Sequence, residues 1–518
     1  MSLVHTMLPE LILLIAAGAL FIVGASKAAA ARRASPVIAL VALVAACLAA
    51  VFTEPTDARG AAVVFDQLGK YVKEIACGVS VLFVLLAWPS SADGSSNRSV
   101  SFGTETGEYF ALLLVAVAGV CLTGSAHSLP TLFLGFELAS IPTYIMVTMS
   151  RPQVQAQEAG IKYFFLGAAS SAVLLLGVAY LFGATGEMRF DRIIDVLKPV
   201  LAGSEGPTFG GVPTTVTLAL VLMILGLSFK LAAVPLHFYA GDVYQGAATP
   251  VTAAISFIPK ITALVAILKI LHVAGAGTWT FDPKVLKLLW IMAVLTMTVG
   301  NVLALWQSNV KRVLAYSSVA HSGYLLVGVA ALAMAKTADA RQEGLASVAF
   351  YVTAYGLMNA AAFGVLQLLP ARTDAPAQTA ETYDDIAGAG LRFPGLGLAM
   401  TIGCLSLIGV PATVGFFGKL YLLRPAVLSG EPMLVWLAVI TMINAAISAG
   451  YYLKIVAAMW TLGDAEAPVS AVPAERSLPI WAAVTLSAVA IVLLGVVLPL
   501  TSHLLAQSQM AGGSLLGR

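Results

Sequence analysis

Charge is scarce in this chain. Lys, Arg, Asp and Glu make up 10% of its 518 residues, against roughly 25% in soluble domains. That shortage excludes a soluble globular protein. The formal net charge is only +2, and no basic patch stands out, so a nucleic-acid partner is not indicated. Cysteine is scarce too. Cys47, Cys77, Cys121 and Cys404 each lie in an apolar segment, and none belongs to a CxxC pair. No iron–sulfur, haem or zinc spacing is present, and the four read as small buried hydrophobes. No Gly-rich phosphate loop stands at a strand–helix junction. A chain with no obvious redox centre or ATP site of its own must be driven by a gradient or by a partner. The first apolar stretch has no basic residues before it and no small-residue cleavage site after it, which reads as a retained helix and not a signal peptide.

What the chain has in quantity is apolar length. Hydrophobic residues reach 59%, and the mean hydropathy is +0.92. A span needs about 20 apolar residues, and by that rule about fourteen spans are predicted. They run over 8–26, 35–53, 71–89, 108–126, 128–149, 158–182, 216–239, 248–273, 285–306, 312–334, 344–370, 395–427, 433–460 and 478–505. The segments 90–107 (Ser-rich) and 371–385 (acidic) read as polar loops. In 183–215, Phe190, Ile193, Ile194 and Leu197 recur at helical spacing against Arg189, Asp191, Arg192 and Asp195, the pattern of a short helix lying in the membrane interface. Lys27, Arg32 and Arg33 follow the first span with no Lys or Arg before it. That places the first loop in the cytoplasm and the N-terminus outside, and an even span count returns the C-terminus outside.

Two spans look broken. SFKLAAVPLHFYAGDVYQGAATP contains Pro235, and CLSLIGVPATVGFFGKLYLLRP contains Pro411 between Gly409 and Gly415. A proline inside a helix releases the carbonyl four residues earlier, here those of Leu231 and Leu407. In lipid such groups are tolerated only where protein or a water-filled cavity satisfies them. Paired interrupted helices in two halves of a chain point to a transport site. Lys230 precedes its proline and Lys419 follows its own, as an inverted pair of repeats would arrange them.

Glu137, Lys230, Lys260 and Lys419 sit near the middle of their spans. Each costs about 2.5–3.5 kcal/mol at the bilayer centre on insertion scales, a cost not carried for packing alone. Their default reading is proton or ion movement. The bland alternative for Glu137 is a structural ion pair between helices. Lysine suits a proton-carrying role where arginine does not, because arginine hardly deprotonates. His237 and His321 are candidate relays, each also readable as a hydrogen-bonded core histidine. Lys162 has two partners within reach, Glu137 on the preceding helix and Glu158 at i−4, and the sequence leaves the choice open. Lys269 reads as snorkelling to the interface. Lys311, Arg312 and Lys454 read as anchors, and Asp242 and Tyr244 as shaping a turn.

The segments EAGIKYFFLGAASSAVLLLG, FKLAAVPLHFYAGDVYQGAATPVTA, FIPKITAL, NVKRVLAYSSVAHSGYLLVG and GVPATVGFFGKLYLL resemble the antiporter-like subunits of respiratory complex I, the proton-pumping NADH:quinone oxidoreductase, over roughly 105–460. Within that family the likeness is to the subunit N type, on Lys419, on EAGIKYF and on a chain that ends soon after its last span. The resemblance implies an all-α membrane fold with two inverted five-helix repeats, each with a discontinuous helix. These would cover 108–273 and 285–460, with N-terminal helices over 1–107 and a last helix and tail over 478–518. It implies that Glu137 pairs with Lys230 and modulates its proton affinity. Lys260 would carry protons along a central hydrated axis near His237 and His321, and Lys419 would connect to one side. It implies no cofactor in this chain, with flavin, iron–sulfur clusters and quinone in partner subunits. The partners would be another antiporter-like subunit and small membrane subunits in a bacterial inner membrane. The runner-up is a subunit of a multi-subunit cation/proton antiporter or of a ferredoxin- or hydrogenase-coupled complex. A non-conducting spacer and a stand-alone solute transporter are further alternatives.

Overall fold

The computed structural model describes residues 3–26, 28–55, 61–89, 102, 105–151, 153–202, 208–209, 212–369, 380–461 and 477–515. Most of the polar segments 90–107 and 371–385, and Lys27 with the side chain of Arg32, lie outside the described residues.

The chain is helical almost throughout. It opens with α1 (Leu3–Thr6), α2 (Leu8–Ala25), α3 (Ala29–Phe52) and α4 (Gln67–Leu86). Next come α5 (Thr106–Ser125), α6 (Leu129–Met149), α7 (Val154–Thr185) and α8 (Phe190–Ala202), then a two-residue antiparallel pairing of β1 (Thr208–Phe209) with β2 (Val212–Pro213). The middle holds α9 (Thr214–Lys230), α10 (Ala240–Gly246), α11 (Thr249–Ala274), α12 (Pro283–Leu305), α13 (Val310–Met334) and α14 (Ala338–Leu368). The last part holds α15 (Tyr383–Ile386), α16 (Ala389–Arg392), α17 (Pro394–Ile408), α18 (Val414–Leu428), α19 (Pro432–Trp460), α20 (Leu478–Val496) and α21 (Leu498–Leu515). Several helices start on a side-chain cap at a membrane face, where free backbone N–H groups need an acceptor. Asp66 caps α4, Ser128 caps α6 and Asn309 caps α13.

Eleven described helices are long and apolar enough to cross a membrane, or twelve if the bent pair Tyr383–Arg392 and Pro394–Ile408 is one span. The expected fourteen is not reached, for identifiable reasons. Helix α4 carries Lys70, Lys73 and Glu74 in its first half. Helix α9 stops at Lys230, and α17 and α18 are separate helices of 15 residues each, about 22 Å long and too short to span alone. The predicted 478–505 span is cut at Val497 into α20 and α21.

Helices that are apolar all round belong in a core. Helix α11 is buried along its whole apolar stretch, and α13 and α14 nearly so. They form the centre. Helices α2, α3, α7 and α19 lie outside and leave Ile22, Phe52, Phe165 and Trp436 exposed, as lipid-facing helices do. Helix α8 is amphipathic as predicted, burying Phe190, Ile193 and Leu197 against α11.

Both predicted breaks are present. The first runs from Leu231 to Tyr239, between α9 and α10. The second runs from Gly409 to Thr413, where Gly409 (φ 92°) ends α17 in the left-handed region that favours glycine. The chain then folds back so tightly that a Cβ on Gly415 would lie 1.8 Å from the Ser406 carbonyl oxygen.

The seven-residue half-helix α10 is held by charges. Asp242 accepts from Arg312 at 2.8 Å and from Lys162 at 2.9 Å. Lys311 is 0% exposed and donates to the Ala247 and Gln245 carbonyls at 2.6 and 3.3 Å. A cation there complements the negative end of a helix dipole. Lys311 also meets Glu381 at 3.3 Å, and Arg151 meets the same carboxylate at 2.8 Å. Lys311 and Arg312, expected as plain anchors, therefore clamp α10, and Asp242 does more than shape a turn. Burial acts to raise the Glu381 carboxyl, but Lys311 and Arg151 beside it outweigh that and hold it below its ordinary value.

Two predictions follow from this packing. Gly415→Ala should cost about 1–3 kcal/mol through overpacking, read as loss of assembled protein; full yield would show that the second break tolerates a methyl group. A depressed carboxylate contributes stability above its unfolded value of 4.5, lost as pH falls through the folded value. Thermal stability should therefore fall on acidification into that range, and Glu381→Gln should flatten the fall. An unchanged acid slope in that variant would count against the clamp.

Candidate functional site

Lys230 is the last residue of α9 and is buried. Its ammonium donates to the Tyr144 hydroxyl and lies 4.2–5.7 Å from the ring centres of Tyr144, Phe136, Phe229 and Tyr163. Four aromatic faces partly replace the water a cation loses on burial. Glu137, on α6, accepts from Ser171 Oγ at 2.5 Å. Among the described residues Glu137 makes no direct ion pair with Lys230, yet its charge acts on both Lys230 and Tyr144. The two predicted partners are neighbours without contact.

Lys260 sits in the middle of α11 beside Pro259, fully enclosed. Its ammonium donates to the Leu231 carbonyl at 3.3 Å, to the Ser318 carbonyl and to Ser322 Oγ. Leu231 is the residue whose carbonyl the proline releases. Ser322 Oγ donates to that carbonyl as well. Lys419 does the equivalent at the second break. From α18 it reaches back to the Leu407 carbonyl at 3.0 Å and the Ile408 carbonyl at 2.7 Å, 4.7 Å from the Tyr324 ring centre. Both carbonyls left free by the helix breaks are thus taken up by intramembrane lysines.

His321, on α13, lies between these two lysines electrostatically, since both act on it. Its Nδ1 is 2.7 Å from the Tyr351 hydroxyl and its Nε2 3.1 Å from the Tyr452 hydroxyl. On the adjoining turn, Ser318 Oγ accepts from Tyr355 at 2.7 Å and is 3.0 Å from the Tyr244 hydroxyl. Hydroxyl groups, which both donate and accept, therefore surround Lys260 and His321.

Two predicted site residues lie apart from this row. His237 is half-buried in the first break. No hydrogen bond among the described residues links it to Lys230, Lys260 or His321. Lys162 is 42% exposed and pairs with Glu158 at 2.7 Å and Asp242 at 2.9 Å; it makes no ion pair with Glu137 among the described residues. It lines a cavity of about 490 Å3 shared with Arg151, Glu158, Asp242, Gln245 and Glu381. Helix α10 joins the two regions: Asp242 faces this cavity, and Tyr244 reaches in to Ser318.

Sequence reading missed several buried charges. Lys269, expected to snorkel, is buried and donates to the Ala126 carbonyl at 2.8 Å, at the end of α5. Lys73 and Glu10 form a buried ion pair at 2.8 Å, with Lys73 also on the Thr6 carbonyl at 2.9 Å. Both pairs lie within two turns of a span's end, where a charge ordinarily reaches water, so position along the span gave no signal. The tyrosine and serine partners gave none either.

The NADH:quinone oxidoreductase/Mrp antiporter transmembrane family matches residues 126–448. NADH-quinone oxidoreductase subunit N of Myxococcus xanthus (strain DK1622) is 36% identical over 95% of this chain and 94% of its own length. Subunit N 2 of Roseiflexus castenholzii is 39% identical over 79% of this chain and 78% of its own. Among solved structures, a chain of respiratory complex I from Thermus thermophilus with bound aureothin aligns with a TM-score of 0.74 at 28% identity, covering 96% of this chain and 99% of that one. A chain of the Mrp complex from Dietzia sp. DQ12-45-1b aligns with a TM-score of 0.79 at 20% identity, which is likeness of fold alone. With a buried lysine at each helix break and relatives of this identity along nearly its whole length, the chain belongs to the NADH:quinone oxidoreductase/Mrp antiporter transmembrane family, among its subunit N members.

Proposed function

We propose that this chain is a membrane-arm subunit of a proton-translocating NADH:quinone oxidoreductase. It moves protons through buried lysines while redox chemistry proceeds in partner subunits. The observation that carries this reading is the set of buried groups Lys230, Lys260, His321 and Lys419, each held by hydroxyl or carbonyl oxygens, with Lys260 and Lys419 on the carbonyls of the two helix breaks. Flavin, iron–sulfur clusters and quinone belong to the partners in this reading. The chain's share of the enzyme is translocation. Its partners are another antiporter-like subunit and small membrane subunits in a bacterial inner membrane, with both termini on the outer side. The two halves, 108–273 and 285–460, would act as inverted repeats around the two breaks.

Each lysine has a distinct setting for its proton. Lys230 is held by aromatic faces and one hydroxyl, so the field of Glu137 is its main charged influence. A shift of Glu137 toward or away from it changes how tightly it holds a proton. Lys260 and Lys419 rest on carbonyl oxygens at the negative ends of half-helices, which favour the charged form. His321 lies within the field of both, with a hydroxyl on each ring nitrogen, an arrangement suited to passing a proton. His237 is a relay only from its place in the first break. Lys162 belongs to the charged cavity at the membrane face, which would supply the aqueous end of the path through Asp242, α10 and Tyr244. Moving a charge against the membrane potential costs about 2.3 kcal/mol per 100 mV, so the drive comes from outside the chain. The runner-up, a cation/proton antiporter subunit, shares the family model and a fold matched at 20% identity, against 36–39% identity to the subunit N relatives.

Co-purification tests the assignment: the tagged chain should bring flavin and iron–sulfur subunits with NADH:quinone activity. Recovery with small membrane subunits alone, and no electron transfer, would move it to the antiporter complexes. Glu137→Gln should assemble yet lower NADH oxidation and pumping together by about tenfold, the effect of ~1.4 kcal/mol of lost coupling. Wild-type rates would remove Glu137 from the mechanism. Lys230→Ala should abolish coupled pumping; unchanged pumping per electron would favour a structural spacer.

A further inference from the structure

The shell around Lys260 has an uncommon property: none of its oxygens comes from the helix that carries the lysine. The Leu231 carbonyl belongs to the first break, and the Ser318 carbonyl and Ser322 Oγ belong to α13. The shell is also braced without the lysine. Ser322 Oγ bonds the Leu231 carbonyl and lies 3.1 Å from the Ser318 carbonyl. Leu231, Ser318 and Ser322 are all buried. An ammonium has three N–H donors, and here each has an acceptor.

Carbonyls at unwound and half-helix C-terminal ends are the groups that coordinate monovalent cations in membrane carriers, and such an end carries about half a negative charge. No carboxylate takes part, so the shell suits a singly charged ion and not Ca2+ or Mg2+, whose sites are built on carboxylates. The Tyr355 ring centre, 5.6 Å from the nitrogen, adds a further cation-favouring face. The other two lysines are held differently. Lys419 meets two carbonyls offered by one helix end, and Lys230 meets a hydroxyl and rings.

We propose that the Leu231, Ser318 and Ser322 oxygens form a monovalent-cation site in their own right, which the chain fills with a tethered ammonium. Removing the tether opens the site to a free cation of similar size, ammonium or potassium. Restriction to protons then resides in Lys260 itself and not in the oxygens around it. This deepens the proton-carrying reading of Lys260 and rests on it.

The test uses the intact complex carrying Lys260→Ala, with thermal stability and NADH:quinone turnover measured in ammonium, potassium or choline chloride at equal ionic strength. Ammonium and potassium should each raise the melting temperature of the variant by about 2 degrees over choline. The wild type should show no such rise. Ammonium, which can give up a proton, should also restore part of the turnover, and potassium, which cannot, should not. The double variant Lys260→Ala/Ser322→Ala should lose the cation response. An absent melting response in Lys260→Ala, an equal one in the wild type, or one that survives loss of Ser322 would each overturn the site. If the variant assembles poorly, growth with added ammonium decides the matter: assembly restored by ammonium but not by choline supports the site, and failure in both overturns it. Wild-type turnover of Lys260→Ala in choline would instead overturn the proton-carrying role of Lys260, a result distinct from the melting response.

Discussion

Backbone carbonyls inside a bilayer must find a donor, and the two helix breaks leave Leu231 and Leu407 without one from their own helices. The structure answers both with a lysine: Lys260 at the first break and Lys419 at the second. The same contact solves the reverse problem, because a buried ammonium must find acceptors. Each partner would be costly alone and is satisfied by the other. The lysines therefore need the breaks; the second break relies on Lys419, and the first shares its carbonyl between Lys260 and Ser322. Much of the central architecture serves this exchange, including the enclosed helices α11 and α13 that bring Lys260, Ser318 and Ser322 to one point.

Around that exchange the chain builds three unlike environments for one residue type. Aromatic faces and a hydroxyl hold Lys230, a three-oxygen shell holds Lys260, and the end of a half-helix holds Lys419. A proton passing along a row of identical sites would have no reason to move in one direction. Unlike sites can be biased separately, and Glu137, near Lys230 but bonded to Ser171, is placed to bias the first of them.

Much of this was legible in the sequence. A charge in mid-span and a proline in an apolar run are local violations of a strong pattern, so Glu137, Lys230, Lys260, Lys419 and both breaks stood out, and the proline rule named Leu231 and Leu407 directly. The partners of those groups were not legible. Ser318 and Ser322 look like any serines of a membrane helix, and only packing brings them to Lys260. Lys73, Lys269 and Lys311 sit near span ends, where a charge usually reaches water. The span count is not confirmed by length and composition where helices carry charge or stop short, as α4, α9, α17 and α18 do. Lys162 resolved to Glu158 and Asp242, the second a partner that only the return of α10 beside α7 supplies.

Glu381 lies within the stretch 285–460, yet its carboxylate grips Arg151 of the stretch 108–273 as well as Lys311 of its own. The segment around it is pinned as well. The Val310 amide donates to the Glu381 carbonyl at 2.7 Å, and Thr382 and Asp385 close a capping box on α15. One carboxylate just ahead of α15 therefore ties the two stretches together. A hybrid that took 108–273 from one relative and 285–460 from another would have to keep Arg151 and Glu381 matched. A join made between 273 and 285 would set a foreign carboxylate against Arg151.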